Sequence, residues 1–183
     1  MNNLSGINVP IWKKLWQKSV YKHQFCTVYE KKFQHPIDKR EGVFLTADIC
    51  DSVQIVAETK ENKFLLVQQF RFGSERLSLE FPAGRMEMSE DIIACAEREL
   101  LEETGYSGHG TKIIGSLYQS PAIQPNKTHI VYIGECEQTA QPNFDEMEEL
   151  STLIVSKNQL LSLVKSDAID SSITLAALAK FLL

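Results

Sequence analysis

The stretch from Gly84 to Tyr106, GRMEMSEDIIACAERELLEETGY, constrains this chain more than any other. It sets seven acidic side chains, Glu87, Glu90, Asp91, Glu97, Glu99, Glu102 and Glu103, on what otherwise reads as a loop followed by an amphipathic helix. Pro82, Gly84 and Ser89 punctuate the approach, Ser89 or a neighbour can cap the exposed N–H groups, and Glu90 and Asp91 suit the positive end of the helix dipole. A helix is therefore predicted to start near Glu90. Ile92, Ile93, Ala96 and Leu100 recur at helical spacing as one apolar stripe, and Gly105 supplies the stop expected just past a helix end. Glu99, Glu102 and Glu103 stand at i, i+3 and i+4, so their carboxylates converge. Like charges so placed cost roughly 0.2 to 0.5 kcal/mol per pair, and Arg98 alone cannot neutralise three of them. The cluster is either a solvated helix face, the ordinary fate of a charge run, or a hard-cation site. Mg2+ prefers oxygen ligands and is held by few carboxylates together with the phosphates of a substrate.

Composition limits what such a site can serve. A length of 183 residues, 43% of them hydrophobic and 9% aromatic, suits a single domain with one well-filled core. Cys26, Cys50, Cys95 and Cys136 lie far apart with no CxxC pair, which matches neither a disulfide framework nor a zinc spacing. Reduced thiols and a cytoplasmic location are the expectation. The amino-terminal MNNLSGINVPIWKKLWQ lacks the apolar core of a signal peptide, and no apolar run approaches the ~20 residues of a membrane helix. A soluble protein without membrane contact is predicted. A net charge of −5 and a pI near 5.4, with no basic stripe, argue against nucleic-acid partners. An anionic substrate would then need metal ions and local arginines.

Along the chain, Ile11, Trp12, Leu15 and Trp16 fall at helical spacing between residues 10 and 22, amid four lysines. Tryptophans there must bury against either the monomer's own core or a second subunit. Phe25–Lys32, Val43–Ile49, Val53–Glu58 and Phe64–Phe70 read as strands, with turns at 51–52 and 60–62. Beyond the acidic stretch, Lys112–Tyr118 and His129–Cys136 read as strands joined by the two-proline loop SPAIQPNKT. A second acidic segment, Phe144–Glu149, precedes a strand over Leu150–Val155 and helices near 157–165 and 171–182. That order predicts a mixed sheet between helices. His109 and His129 have no sequence partner for nucleophilic catalysis and read as structural.

Gly84, five residues, Glu90, seven residues, Arg98-Glu99-Leu100, one residue, Glu102-Glu103, one residue and Gly105 together resemble the Nudix hydrolase box, GX5EX7REUXEEXGU. Only the last position departs, with Tyr106 where an aliphatic residue is usual; Ser89 also stands where many members carry Gly. The flanking VQQFRFG (67–73), LEFPAG (79–84), Pro121 and the pattern VSKNQLLSLVKSDAIDSSITLAAL resemble the ADP-ribose and nucleoside-diphosphate-sugar pyrophosphatases of that family. The resemblance implies an α/β fold, the Nudix α/β/α sandwich with a mixed β-sheet and an N-terminal antiparallel strand meander. It also implies an N-terminal arm over residues 1–40 that contributes to a homodimer interface and a Nudix hydrolase domain over 41–183. The implied reaction is Mg2+-dependent hydrolysis, with Mn2+ as an alternative, of the pyrophosphate bond of ADP-ribose or a related nucleoside diphosphate sugar. A house-cleaning nucleoside triphosphate pyrophosphatase and a non-catalytic nucleotide-sugar-binding module are the alternatives.

Roles follow from the resemblance position by position. Glu99 and Glu103 are the principal metal ligands, Glu102 shares the metal, the backbone carbonyl of Ala83 completes the coordination, and Arg98 orients the carboxylates. Glu90 either binds metal indirectly or caps the helix. Arg71, Glu80 and Arg85 are the substrate-binding candidates, Arg71 because a guanidinium fork matches phosphate geometry. For Arg71 the plainer reading is a surface ion pair, and for Glu80 a strand-end salt bridge. In the acidic DEMEE segment, Glu146 aligns with the catalytic base and Glu148 with a further metal ligand. Asn126 stands where relatives often carry Glu.

Overall fold

The computed structural model describes residues 8–183, so part of the amino-terminal segment that lacks a signal-peptide core lies outside the described residues. The chain divides into two compact units, one formed by the residues up to Ile49 with Ser120–Pro125, the other by Cys50–Gln119 with Asn126–Leu183.

The first unit is an antiparallel meander of β1 (Lys13–His23), β2 (Cys26–Gln34) and β3 (Glu41–Asp48). The expected strand meander is thus present, but it begins earlier than the strand patterns suggest, because the segment with helical spacing from Ile11 to Trp16 is largely β1. A register shift between Lys14 and Trp16 falls within that segment, and a second follows between Ser19 and Tyr21. Each bulge inserts a residue into the two-residue alternation of a strand, so apolar positions drift toward helical spacing. Trp12 packs edge-on against His35 and Phe44, with the Arg40 guanidinium 5.4 Å from its ring centre. The Ser120–Pro125 loop joins the same unit by a bond from the Ala47 N–H to the Ile123 carbonyl.

The second unit is built on a seven-stranded mixed sheet. Its strands are β4 (Ser52–Thr59), β5 (Lys63–Arg71), β6 (Arg76–Glu80), β7 (Ala83–Arg85), β8 (Tyr106–Tyr118), β9 (Lys127–Gln138) and β10 (Leu150–Ser156). The order is β10-β5-β4-β9-β8, with β6 on β5 and β7 on β4; β4 and β9 run parallel and the other pairs antiparallel. Central β4 is buried on both faces, and its alternation separates two cores. Val53, Ile55 and Ala57 meet Cys95, Ala96 and Leu100 of helix α1 (Ile92–Thr104). Val56, on the opposite face, belongs with Leu160 of α2 (Lys157–Lys165) and Ala177 and Leu178 of α3 (Ser172–Leu182). Helices on both faces of a mixed sheet make the α/β/α arrangement that the resemblance implied.

Local rules place α1. Its cap is Asp91 rather than Ser89: the Asp91 carboxylate accepts the N–H groups of Ile93 and Ala94, while Ser89 occupies a turn at φ 66°. At the other end Gly105 adopts φ 73° and donates its N–H to the Leu101 carbonyl. Any Cβ there would collide with the Ala140 carbonyl oxygen, so glycine is required twice over. Among the described residues no helix is long and apolar enough to cross a membrane.

Candidate active site

The short strand β7, within a segment that reads as loop from sequence, is what brings the acidic helix to the sheet. β7 pairs with the start of β4, Gly84 opposite Val53 and Ala83 opposite Gln54, which sets the backbone of 83–85 beneath α1. Glu99 descends from the helix onto Gly84, and its carboxyl group fills the space that a Cβ on Gly84 would need. Glu103, one turn further on, is buried, and its Oε2 accepts the Ala83 N–H at 3.0 Å. The site therefore needs glycine at 84 because a carboxylate stands in the place of a side chain.

Arg98 organises the rest. Its Nε and Nη2 donate to the two oxygens of Glu90 at 2.8 and 3.0 Å, and its Nη1 donates to Glu99 and to Glu102, each at 2.9 Å. Glu90 is therefore the anchor of Arg98, not the helix cap. These bonds hold the Glu90 carboxyl down to about 2. Arg98 reaches three carboxylates and leaves out Glu103. Burial pushes Glu103 up to about 8, against the opposing Ala83 bond, and pushes Glu99 up to about 7 despite the nearby guanidinium. The cluster is thus split: Glu90, Glu99 and Glu102 share Arg98, with Glu99 also desolvated, while Glu103 is desolvated and has no bond to the guanidinium.

A hard divalent cation fits this donor set: all-oxygen, anionic, partly desolvated and backed by a rigid backbone cradle. Among the described residues no three acidic, histidine or cysteine side chains close on one point, since Arg98 spans Glu99 and Glu102 while Glu103 turns to Ala83.

Arg71, from β5, makes a bidentate pair with Glu80 of β6, Nε to Oε1 at 3.0 Å and Nη2 to Oε2 at 2.7 Å. Burial raises the Glu80 carboxyl, but the bonds from Arg71 and Ser78 outweigh it and hold it below its ordinary value. The charges of Glu103 and Glu148 also act on Arg71, so this pair lies beside the carboxylate cluster. Arg85 is exposed at the end of β7, and its carbonyl accepts an Arg98 N–H at 3.4 Å.

The acidic segment after β9 is tied to the same helix. Thr139 and Ala140 donate N–H groups to the Gly105 carbonyl and Asn143 donates to that of Glu102. The chain then turns, the Glu148 N–H bonding to the Asp145 carbonyl, and the Glu148 charge acts on both Glu99 and Glu103. Glu146 is exposed within that turn. Pro121 belongs to the first unit, whereas Asn126 immediately precedes β9, buried, with no partner among the described residues for its Oδ1. Gln69 is a residue that sequence reasoning missed: it projects from the same face of β5 as Arg71, and its buried Nε2 has no acceptor among the described residues. Its only signal is its place within VQQFRFG, where Arg71 is the more conspicuous side chain.

A carboxylate-bearing helix over a glycine cradle, inside an α/β/α sandwich, defines a class, and the comparisons agree: residues 49–177 match the NUDIX domain, and the chain belongs to that family. An ADP-ribose pyrophosphatase of Bacillus subtilis (strain 168) is 34% identical over 116 residues, the match spanning 63% of each chain. A methanol dehydrogenase activator of Bacillus methanolicus is 32% identical over 127 residues, 69% of each. The crystal structure of an ADP compounds hydrolase superposes with a TM-score of 0.83 over 96% of this chain and 94% of its own, at 19% identity, which shows a shared fold.

Proposed function

We propose that this chain hydrolyses the pyrophosphate bond of ADP-ribose or a related nucleoside diphosphate sugar, releasing a nucleoside monophosphate and a sugar phosphate. The observation that carries the reading is the pair of desolvated carboxylates, Glu99 and Glu103, held against the 83–84 backbone beside the Arg71–Glu80 pair. The likeness to an ADP-ribose pyrophosphatase supports the substrate class.

Mg2+, with Mn2+ as an alternative, would neutralise the phosphates and acidify an attacking water when bound. Glu99 and Glu103 hold it, Glu102 and Glu148 share it, and the Ala83 carbonyl completes the set. Arg98 fixes the orientation of Glu99 and Glu102. Arg71, kept in place by Glu80, receives a phosphate oxygen, and Arg85 binds the substrate at the rim. Of the two carboxylates in the 146–148 turn, Glu148 is assigned to the metal because its charge acts on Glu99 and Glu103. Glu146 is left to take the proton from the attacking water.

One screen tests the assignment: hydrolysis of nucleoside diphosphate sugars, dinucleotides and nucleoside triphosphates with Mg2+, and with a chelator as control. AMP and ribose phosphate from ADP-ribose, lost with the chelator, is the expected result; inorganic pyrophosphate from triphosphates would select the house-cleaning alternative, and no turnover of any of them a binding module. In the same assay Glu146→Gln lowers turnover at least roughly 100-fold with ADP-ribose binding retained. Unchanged turnover removes it as the base.

The protein is further proposed to act as a homodimer, residues 1–40 contributing the interface and 41–183 the hydrolase domain. One face of the β1–β3 meander supports this, since Trp16, Tyr21, Val43 and Leu45 share it by register and are 42 to 60% exposed. The four unpaired cysteines support a reducing, cytoplasmic setting.

A further inference from the structure

Two arginines face each other across the β5–β6 hairpin. Arg71 and Arg76 are direct cross-strand partners, so their side chains leave the same face of the sheet. Like charges in directly opposed positions destabilise a hairpin. Each is offset by a carboxylate: Arg71 by Glu80 of β6, and Arg76 by Asp170, which lies between α2 and α3 and accepts from the Arg76 Nη2. The two pairs are neighbours, since the Asp170 charge acts on Glu80.

Neutralisation uses only part of each fork. Arg71 directs its Nε and Nη2 to Glu80, and Arg76 directs Nη2 to Asp170, which leaves the Nη1 groups of both without an acceptor among the described residues. Arg71 is pinned along one edge by two bonds and Arg76 is held through one nitrogen, so each keeps N–H groups that can receive phosphate oxygens. Arg71 feels the charges of Glu103 and Glu148, so it lies near the carboxylate cluster, and Arg76 is its direct cross-strand neighbour. The C-terminal segment thus acquires a task that helix packing alone does not give it, through Asp170.

We propose that Arg76 is a second diphosphate-binding residue beside Arg71, positioned by Asp170, so that the opposed guanidinium groups take one phosphate each of a nucleoside diphosphate. The inference rests on the proposed role of Arg71 and adds the residue that distinguishes a diphosphate from a monophosphate.

Calorimetric binding of ADP and of AMP, with Mg2+ present, tests it on the whole chain as wild type, Arg76→Ala, Arg76→Lys and Asp170→Asn. Loss of a charge-assisted bond predicts ADP binding about tenfold weaker in Arg76→Ala and AMP binding changed by less than about threefold. Arg76→Lys recovers part of the loss, and Asp170→Asn loses less than Arg76→Ala. With ADP-ribose, KM rises about tenfold while kcat stays within about twofold. A folded Arg76→Ala that binds ADP as the wild type does, or that weakens ADP and AMP equally, overturns the inference; should that variant not fold, the same comparison in Arg76→Lys decides. A wild-type protein that binds ADP but does not cleave ADP-ribose sinks the proposed reaction while leaving the ADP and AMP comparison to judge Arg76, and one that does not bind ADP overturns both.

Discussion

Glu103 is the residue whose chemistry changes most between sequence and fold. Its place beside acidic neighbours along the helix predicts crowding, but crowding on an exposed helix costs little. Burial makes it severe, since desolvation lifts the carboxyl to about 8, with Glu99 at about 7. The direction of the pH effect follows. Folded values above the ordinary carboxylate range mean that the folded protein holds protons the unfolded chain releases. The associated stability is fully present below about pH 4.5 and is lost as pH rises through about 7 and 8. A tenfold difference in proton affinity between the folded and unfolded chain corresponds to about 1.4 kcal/mol. Melting curves with a chelator are therefore expected to fall across this range, and the added stabilisation by Mg2+ to grow as the carboxylates ionise. Glu103→Gln flattens the fall, raises metal-free stability at neutral pH and weakens Mg2+ binding by roughly 100-fold or more. A variant with the wild-type pH profile and metal response would remove Glu103 as a ligand.

At the scale of the element, the decisive contact joins β7 to α1. Gly84→Ala places a methyl group on the Glu99 carboxylate. Because the clash is with the end of a flexible side chain, the cost in stability is small, about 1 to 2 kcal/mol, while displacing the proposed ligand Glu99 is expected to lower turnover on the order of 100-fold. Thermal melts read beside Mg2+ titrations of turnover separate the two effects; full activity in this variant would show that Glu99 does not need the cradle. Elements also mark where sequence periodicity is and is not a guide. α1, α2 and the central strands fall where the sequence pattern puts them: each helix buries one apolar stripe, and β4 is a Val- and Ile-rich run buried on both faces. β1 escapes that guide because its bulges break the alternation. β6 and β7 escape it too, since strands of five and three residues are too short for any period to stand out.

For the whole molecule, the expectation is a dimer. A three-stranded sheet with large apolar side chains 42 to 60% exposed on one face is the kind of surface that soluble monomers seldom leave open. Light scattering at micromolar concentration should return twice the mass of 20.7 kDa, and Trp16→Glu with Leu45→Glu should return the single mass with α1 and its site intact. A wild-type monomer would refute the dimer. The two compact units also differ in charge pattern: the lysines at 13, 14, 18 and 22 fall in the meander, and the acidic box falls in the sandwich.

The acidic face of α1 is legible in the chain without any fold. Spacing along one helix is a local property, so Glu99, Glu102, Glu103 and Arg98 can be placed on a common side from their positions alone. The order of strands and helices is largely legible for the same reason. Which of those carboxylates lack a counter-charge depends on tertiary structure, because it turns on what Arg98 can reach and how deeply each group is buried. So do the pairing of Arg71 with Glu80 and that of Arg76 with Asp170, the latter 94 residues apart in the chain. No periodicity encodes such contacts; strand register and the return of the C-terminal segment to the β6 edge create them.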